Sequence, residues 1–249
     1  MPKPVLLLDA RDITVRFGGL TAVDAVSAAF HSGELVGIIG PNGAGKTTFF
    51  NALSGVQVPT SGQLLVGGRS LSGCAPHHYA AAGIARTFQT PRVFADMSVT
   101  ANIDFGLQFA GRQRKGSWHL RDDSSILELI GLSHLAELPA GALTPSQQRA
   151  LEIGMALSTR PRLLLLDEVA AGLTESEVDA MAQLIRRMRD ELDLTVVWIE
   201  HAVTTLLSYV ERVIVLHQGR KLADGTPADV VRNPEVIEAY LGDEMLEPT

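Results

Sequence analysis

Glu34-Leu35-Val36-Gly37-Ile38-Ile39-Gly40-Pro41-Asn42-Gly43-Ala44-Gly45-Lys46-Thr47-Thr48 is the stretch whose reading decides the fold. Residues 34–39 form a short apolar run that reads as a buried strand. Gly40 to Thr48 fit G-x-x-x-x-G-K-[ST], the phosphate-binding loop pattern. Thr47 to Leu53 read as the first turns of a helix ending near Gly55. A strand, the loop and a helix in this order are the setting the pattern needs. Glycines let the backbone curl until several N–H groups point into one hollow, and the helix N-terminus adds its dipole. Lys46 is placed to reach outer phosphates, and the Thr47 hydroxyl to sit on Mg²⁺. An ordinary Gly-rich turn before a helix is the plainer alternative, but it does not call for the full match in this setting.

A second signal lies downstream, in Arg162-Leu163-Leu164-Leu165-Leu166-Asp167-Glu168. Four leucines between a proline turn and two carboxylates read as a parallel strand buried on both faces. A carboxylate ending such a strand can hold Mg²⁺ on a bound nucleotide, which gives Asp167 a role. Glu168, next along, can polarise an attacking water. Acidic residues at strand ends are also common helix caps; the upstream phosphate loop gives this pair its meaning. Gln89 is expected where the strand Ile84–Gln89 ends. His201 is expected after the buried strand Leu194–Glu200, at the same sheet edge, as a phosphate-sensing residue. Phe17 precedes a Gly18-Gly19 turn. A base can stack on an exposed aromatic ring, but by sequence alone the preferred reading of Phe17 is a core phenylalanine.

Around these signals the chain divides by periodicity. Val5–Phe17 and Ala25–Phe30 read as strands of an antiparallel wing, and Gln63–Val66 separately reads as a strand closed by Gly67-Gly68. His77–Ala82 reads as a short helix ended by Gly83. From residue 98 to 158 the pattern is helical, over Val99–Phe109, Ser124–Ile130 and Gln147–Leu157, and reads as a helical sub-domain inserted into an α/β core of residues 1–97 and 159–249. Glu175–Glu191 is a further helix, Glu211–Leu216 and Lys221–Ala223 a hairpin around Gln218-Gly219, and Pro227–Val231 and Pro234–Leu241 short closing helices before a frayed tail from Gly242 to Thr249. The basic loop from Arg112 to Arg121 reads as solvated or membrane-facing.

Composition narrows the classes. A hydrophobic share of 46% over 249 residues supports a substantial core. A net charge of −7 argues against a general nucleic-acid coat, so no nucleic-acid partner is expected. One cysteine, Cys74, leaves no intrachain disulfide and is compatible with a reducing compartment. The first residues carry too short an apolar run for a signal peptide, and nothing approaches the ~18 apolar residues of a membrane span. Any membrane role is therefore expected to come through a partner.

Taken in order, Gly40–Thr48, Gln89, a helical insert, Leu143-Thr144-Pro145-Ser146-Gln147, Leu163–Glu168 and His201 resemble the ATP-binding subunit of an ABC transporter over nearly the whole chain. Phe17 to Asp24, Gly83–Gln89, Gln147-Gln148-Arg149 with Leu151-Glu152-Ile153, and Gly225 to Gly242 are similar to the subunits of branched-chain and hydrophobic amino acid importers, with urea-type importers close by. The resemblance implies a phosphate-loop α/β core with a β wing and an inserted helical sub-domain. It also implies ATP and Mg²⁺ as cofactors, and these roles: Phe17 stacked on adenine; Gly40, Pro41, Asn42, Gly43, Ala44, Gly45, Lys46, Thr47 and Thr48 around the phosphates; Thr47, Gln89 and Asp167 around Mg²⁺; Glu168 as catalytic base; His201 at the γ-phosphate. The implied partners are a second ATPase subunit, head to tail, permease subunits in the membrane, and indirectly an extracytoplasmic solute-binding protein. The implied location is the cytoplasmic face of the cell membrane.

The signature segment departs from the family's Leu-Ser-Gly-Gly-Gln, or in this branch Leu-Ser-aromatic-Gly-Gln. Thr144 is still expected to cap a helix, with Pro145 at its first position and Gln147 completing a capping box. Thr144, Ser146 and Gln147 would face the other subunit's nucleotide. Pro145, however, has no N–H to offer a phosphate, and Ser146 puts a side chain where glycine allows close approach. The contribution in trans is expected to be weakened by ~1.5–3 kcal/mol, one hydrogen bond to a charged group, so turnover is expected to be low wherever this segment serves the site. Val169 and Thr174 depart too, where proline and aspartate are usual.

Overall fold

The computed structural model describes residues 5–109, 122–200 and 203–244. The chain opens with β1 (Leu6–Phe17) and β2 (Leu20–His31), a long antiparallel hairpin. β2 starts well before the expected Ala25, because Thr21 and Val23 already pair with Arg16 and Val15. The alternation is masked in the sequence by register shifts between Ala10 and Arg16, with Asp12 and Ala25 both at positive φ. Then come β3 (Leu35–Ile39), α1 (Lys46–Leu53), β4 (Ser61–Val66), the two-residue β5 (Arg69–Ser70) and α2 (Pro76–Ala82), which ends at Gly83 in the left-handed conformation. β6 (Ile84–Arg86) stops three residues short of the expected end. Its last backbone bond to β7 is Thr87 N–H to Leu165 O (2.9 Å), and the Phe88 amide, on the open side of this edge strand, donates to Glu152 of the helical segment.

Residues 99–158 contain α3 (Val99–Phe109), α4 (Asp123–Leu129) and α5 (Pro145–Ser158). The chain continues with β7 (Leu163–Asp167), α6 (Glu175–Leu192), β8 (Thr195–Ile199), α7 (Val203–Tyr209), β9 (Arg212–His217), β10 (Arg220–Gly225), α8 (Pro227–Val230) and α9 (Pro234–Glu244). α9 extends to Glu244, beyond the expected start of a frayed tail at Gly242. The basic loop 112–121 lies outside the described residues.

Two sheets result. One is wholly antiparallel, in the order β2-β1-β4-β5. The other runs β10-β9-β3-β8-β7-β6, parallel except for the β9–β10 hairpin at one edge. β3, β7 and β8 are buried along their whole length, as apolar runs with no polar alternation require. Side chains along the inner strands divide by parity. Leu164, Leu166, Val196, Trp198, Val213 and Val215 face a core shared with α3, α4, α5 and α6. Leu163, Leu165, Val197, Ile199, Ile214 and Leu216 face one shared with α1 and the antiparallel sheet. The helical segment is thus packed continuously onto one face of the main sheet, and α1 onto the other. The C-terminal ends of β3, β7 and β8 come out on one edge, where open parallel sheets place their ligands. Among the described residues, no helix is long and apolar enough to cross a membrane.

Candidate nucleotide site

The turn from β3 into α1 is fixed by what its glycines touch. Gly40 has φ 152°, and a Cβ there would run into the carbonyl oxygen of Leu216. Gly45 has φ 94°, and a Cβ there would run into the carbonyl oxygen of Ala22. The backbone closes on itself and on the β9–β10 turn, with Ala44 N–H donating to Pro41 O (3.2 Å) and Gly219 N–H to Ala44 O (3.1 Å). α1 begins at Lys46 with Gly45 as its cap and no side chain bonded to its first amides. A helix start without a side-chain cap directs N–H groups and positive dipole outward, an anion-binding arrangement. Lys46 is 6% exposed, and its Nζ donates to Gly40 O (2.6 Å) and Pro41 O (2.9 Å). Burial pulls its pKa down, and the charges of Glu168 and Asp167 act the other way. The Thr47 side chain lies in the exposed part of this first turn.

Facing the loop are the carboxylates that end β7. Asp167 and Glu168 are both buried. Asp167 Oδ2 accepts from Arg86 Nη2 at 2.9 Å, and its amide donates to Thr87 Oγ1 at 3.2 Å. Glu168 holds φ 51°, a left-handed conformation that costs a non-glycine residue about 1–3 kcal/mol. It is fastened there by its own amide on Ile199 O (3.0 Å) and by Arg149 Nη1, which donates to its carbonyl at 2.8 Å. Gln89 Nε2 donates to Glu168 Oε2 at 2.7 Å. The structure therefore brings Lys46, Asp167, Glu168 and Gln89 to one edge, as the sequence leads one to expect. His201 lies outside the described residues.

Phe17 is a correction. It is 50% exposed at the β1–β2 turn, not a core residue, because the hairpin closes at Phe17 and Leu20 and the ring has no layer above it. Thr144, Ser146 and Gln147 form the start of α5. Thr144 and Gln147 make a full capping box, with Thr144 N–H donating to Gln147 Oε1 at 2.9 Å and Gln147 N–H to Thr144 Oγ1 at 3.3 Å. Thr174 caps α6 in the same way through Glu177. The Thr174 amide and hydroxyl, and to a lesser degree the Ser146 hydroxyl, hold the Glu177 carboxyl below the usual range. Val169, a further departure from the family pattern, is buried.

Sequence reasoning passed over Arg86. Its guanidinium also donates to Asn51 Oδ1 (2.6 Å) and Ser54 Oγ (3.0 Å) and lies over the Phe88 ring, 4.6 Å from its centroid, joining α1 to β7. A lone charge in a short apolar strand was the available signal, since a buried charge must find a partner. Arg149 and Glu152 had been noted only for their resemblance to a family pattern. Each bonds backbone groups beside the site, across contacts distant in sequence that no local pattern reveals.

The fold and this edge define a phosphate-loop nucleotide-binding protein. Comparison with known proteins is specific. Residues 23–171 match the family model described as ABC transporter, and residues 220–245 that of the branched-chain amino acid ATP-binding cassette transporter. The chain is 39% identical to the high-affinity branched-chain amino acid transport ATP-binding protein BraF of Pseudomonas aeruginosa, covering 98% of this chain and 100% of the relative. It is 38% identical to LivG of Escherichia coli, a protein of the same description, covering 95% and 98%. Among solved structures it is similar to the ADP conformation of MJ1267, an ATP-binding cassette of an ABC transporter, with a TM-score of 0.84, 29% identity and coverage of 96% and 99%. The chain belongs to the ABC transporter family, as an ATP-binding, ATP-hydrolysing cassette.

Proposed function

We propose that this ATPase energises import of branched-chain or other hydrophobic amino acids. The observation that carries the reading is the match of residues 220–245, beyond the nucleotide site, to the branched-chain amino acid cassette model. Near-full-length similarity to BraF and LivG supports it. In this reading the chain sits on the cytoplasmic face of the membrane. It pairs with a second cassette, identical or not, and docks on permease subunits through the helical sub-domain, residues 98–158, and the loop after Gln89. An extracytoplasmic solute-binding protein acts further out.

The residues fit Mg·ATP. The uncapped amides of α1 and Lys46 suit phosphate oxygens. Among the described residues there is no cluster of three or more His, Cys, Asp or Glu side chains placed to hold a metal. Mg²⁺ commonly takes one or two carboxylates and completes its shell with phosphates and water. Thr47, Asp167 and Gln89 would hold it, and when bound it neutralises charge developing on the phosphates. Glu168 orients the attacking water and receives its proton. Gln89 keeps that carboxylate aimed, and the fixed φ of Glu168 pre-positions it. Lys46 stabilises the outer phosphates, Phe17 offers a ring face to the base, and His201 contacts the γ-phosphate. Thr144, Ser146 and Gln147 serve the partner's nucleotide.

A second reading, slow turnover with ATP acting as a clamp, is favoured by Pro145 at the first position of α5, where it has no N–H to offer a phosphate. Purifying the chain with its membrane and solute-binding partners and measuring ATP hydrolysis tests both. Leucine, isoleucine or valine should stimulate it, and urea should not. Stimulation by urea alone would assign the chain to the neighbouring class of importer. Tight ATP binding without solute-stimulated turnover would favour the clamp.

A further inference from the structure

Glu152 lies in the middle of α5 and is 5% exposed. One of its oxygens, Oε1, accepts the Phe88 amide at 3.2 Å and the Arg92 amide at 3.1 Å. The two bonds hang both ends of residues 88–92 from α5. Between them, Gln89 reaches Glu168. The guanidinium groups of Arg86 and Arg92 lie over the Phe88 ring, at 4.6 and 4.0 Å from its centroid. Arg149, one turn before Glu152 on α5, grips the other side of the site, donating to Glu168 O and Ala171 O, both at 2.8 Å. A buried carboxylate is costly, and an apolar side chain of similar size is often as stable. Its two bonds here go to the backbone on either side of Gln89. The start of α5, at Thr144, is about 12 Å away along a single helix.

We propose that Glu152 is a positioning residue for ATP hydrolysis: it sets Gln89 against Glu168 by fastening both ends of residues 88–92 to α5, so that the helix opened by Thr144–Gln147 and the Gln89 loop move as one body. The inference rests on the ATPase reading, with Gln89 and Glu168 at the reacting centre. It adds a residue that acts through Gln89, by way of the Phe88 and Arg92 amides.

The test is steady-state ATP hydrolysis by the full chain for wild type, Glu152→Ala, Glu152→Gln, Gln89→Ala and the double variant Glu152→Ala/Gln89→Ala. Amide hydrogen exchange is followed over residues 86–95. Glu152→Ala should lower kcat by about tenfold or more while KM for ATP changes by less than about threefold, the pattern of lost transition-state alignment. Glu152→Gln, whose side-chain carbonyl still accepts both amides, should recover most of kcat. In the Gln89→Ala background, adding Glu152→Ala should change kcat by less than about twofold, since residues acting in series are non-additive. Exchange at the Phe88 and Arg92 amides should quicken in Glu152→Ala and not in β7.

Wild-type kcat in Glu152→Ala, additive losses in the double variant, or exchange quickened throughout the core would each overturn the proposal. If Glu152→Ala does not fold, Glu152→Asp, too short to hold both amides, takes its place with the same expectations. A wild-type chain that does not hydrolyse ATP would refute the underlying reading instead. Glu152 would then be judged by exchange alone, and unchanged amides at Phe88 and Arg92 would refute its hold on the loop.

Discussion

Exchanging Arg86 for methionine removes one of two positive charges that act on the buried Asp167 carboxylate, Lys46 being the other. The Arg86 and Asp167 side chains are 9% and 3% exposed, and their contact is 2.9 Å. At that burial water cannot replace the lost partner. Breaking such a pair from one side costs ~3–5 kcal/mol, and the Lys46 charge that still acts on Asp167 places this case toward the lower figure. The lost bonds to Asn51 and Ser54 act in the same direction. For a chain of this size ~3–5 kcal/mol corresponds to a fall in Tm of about 6–20 °C. Thermal unfolding by circular dichroism, in buffer free of nucleotide and divalent cations, measures it. Arg86→Met/Asp167→Asn, which removes both charges, should regain at least about half of the loss. An Arg86→Met chain within about 1 kcal/mol of wild type, or a double variant no more stable than the single, would refute the reasoning.

Further expectations concern Glu152 and the signature segment. Burial lifts the Glu152 carboxyl from the ordinary 4.5 to about 7, against the pull of the Arg92 and Phe88 amides and of the Arg149 and Arg92 charges. The folded chain thus holds that proton more tightly than the unfolded one. Its contribution is fully present below pH 4.5 and is lost as pH rises through about 7. Unfolding free energies should show wild type losing up to about 3 kcal/mol relative to Glu152→Gln over that interval; a pH-independent difference would contradict the assignment. Restoring glycine at both odd positions, Pro145→Gly with Ser146→Gly, should raise ATP turnover about 10- to 150-fold in any assembly where this segment serves the site, the rate equivalent of ~1.5–3 kcal/mol. Unchanged turnover in every assembly would remove the signature from the explanation.

What was legible in the sequence was local. The phosphate loop, the leucine strand ending in Asp167 and the Thr144–Gln147 capping box each declare themselves within a few residues, because turn geometry, two-sided burial and helix capping act at that range. The core reading of Phe17 failed because exposure depends on what lies above a hairpin, which its own residues do not state. The early start of β2 was hidden by bulges that break the two-residue alternation. Strand β6 ended early because Gln89, the next residue that could pair with β7, turns its side chain to Glu168 while Glu152, far along the chain, holds the amides on either side of it. Arg86, Arg149 and Glu152 share one cause of obscurity: their partners lie in other elements, and only the assembled sheet and α5 bring them together.

The central claim is that backbone amides at the start of α1, with Lys46, hold the phosphates of ATP. Equilibrium titration of the purified chain with a fluorescent ATP analogue and Mg²⁺, for wild type and Lys46→Ala, tests it directly. Saturable binding by wild type, weakened at least about tenfold in Lys46→Ala, or about 1.4 kcal/mol, is the expected result. No binding by wild type, or equal affinity in the two, would contradict the account.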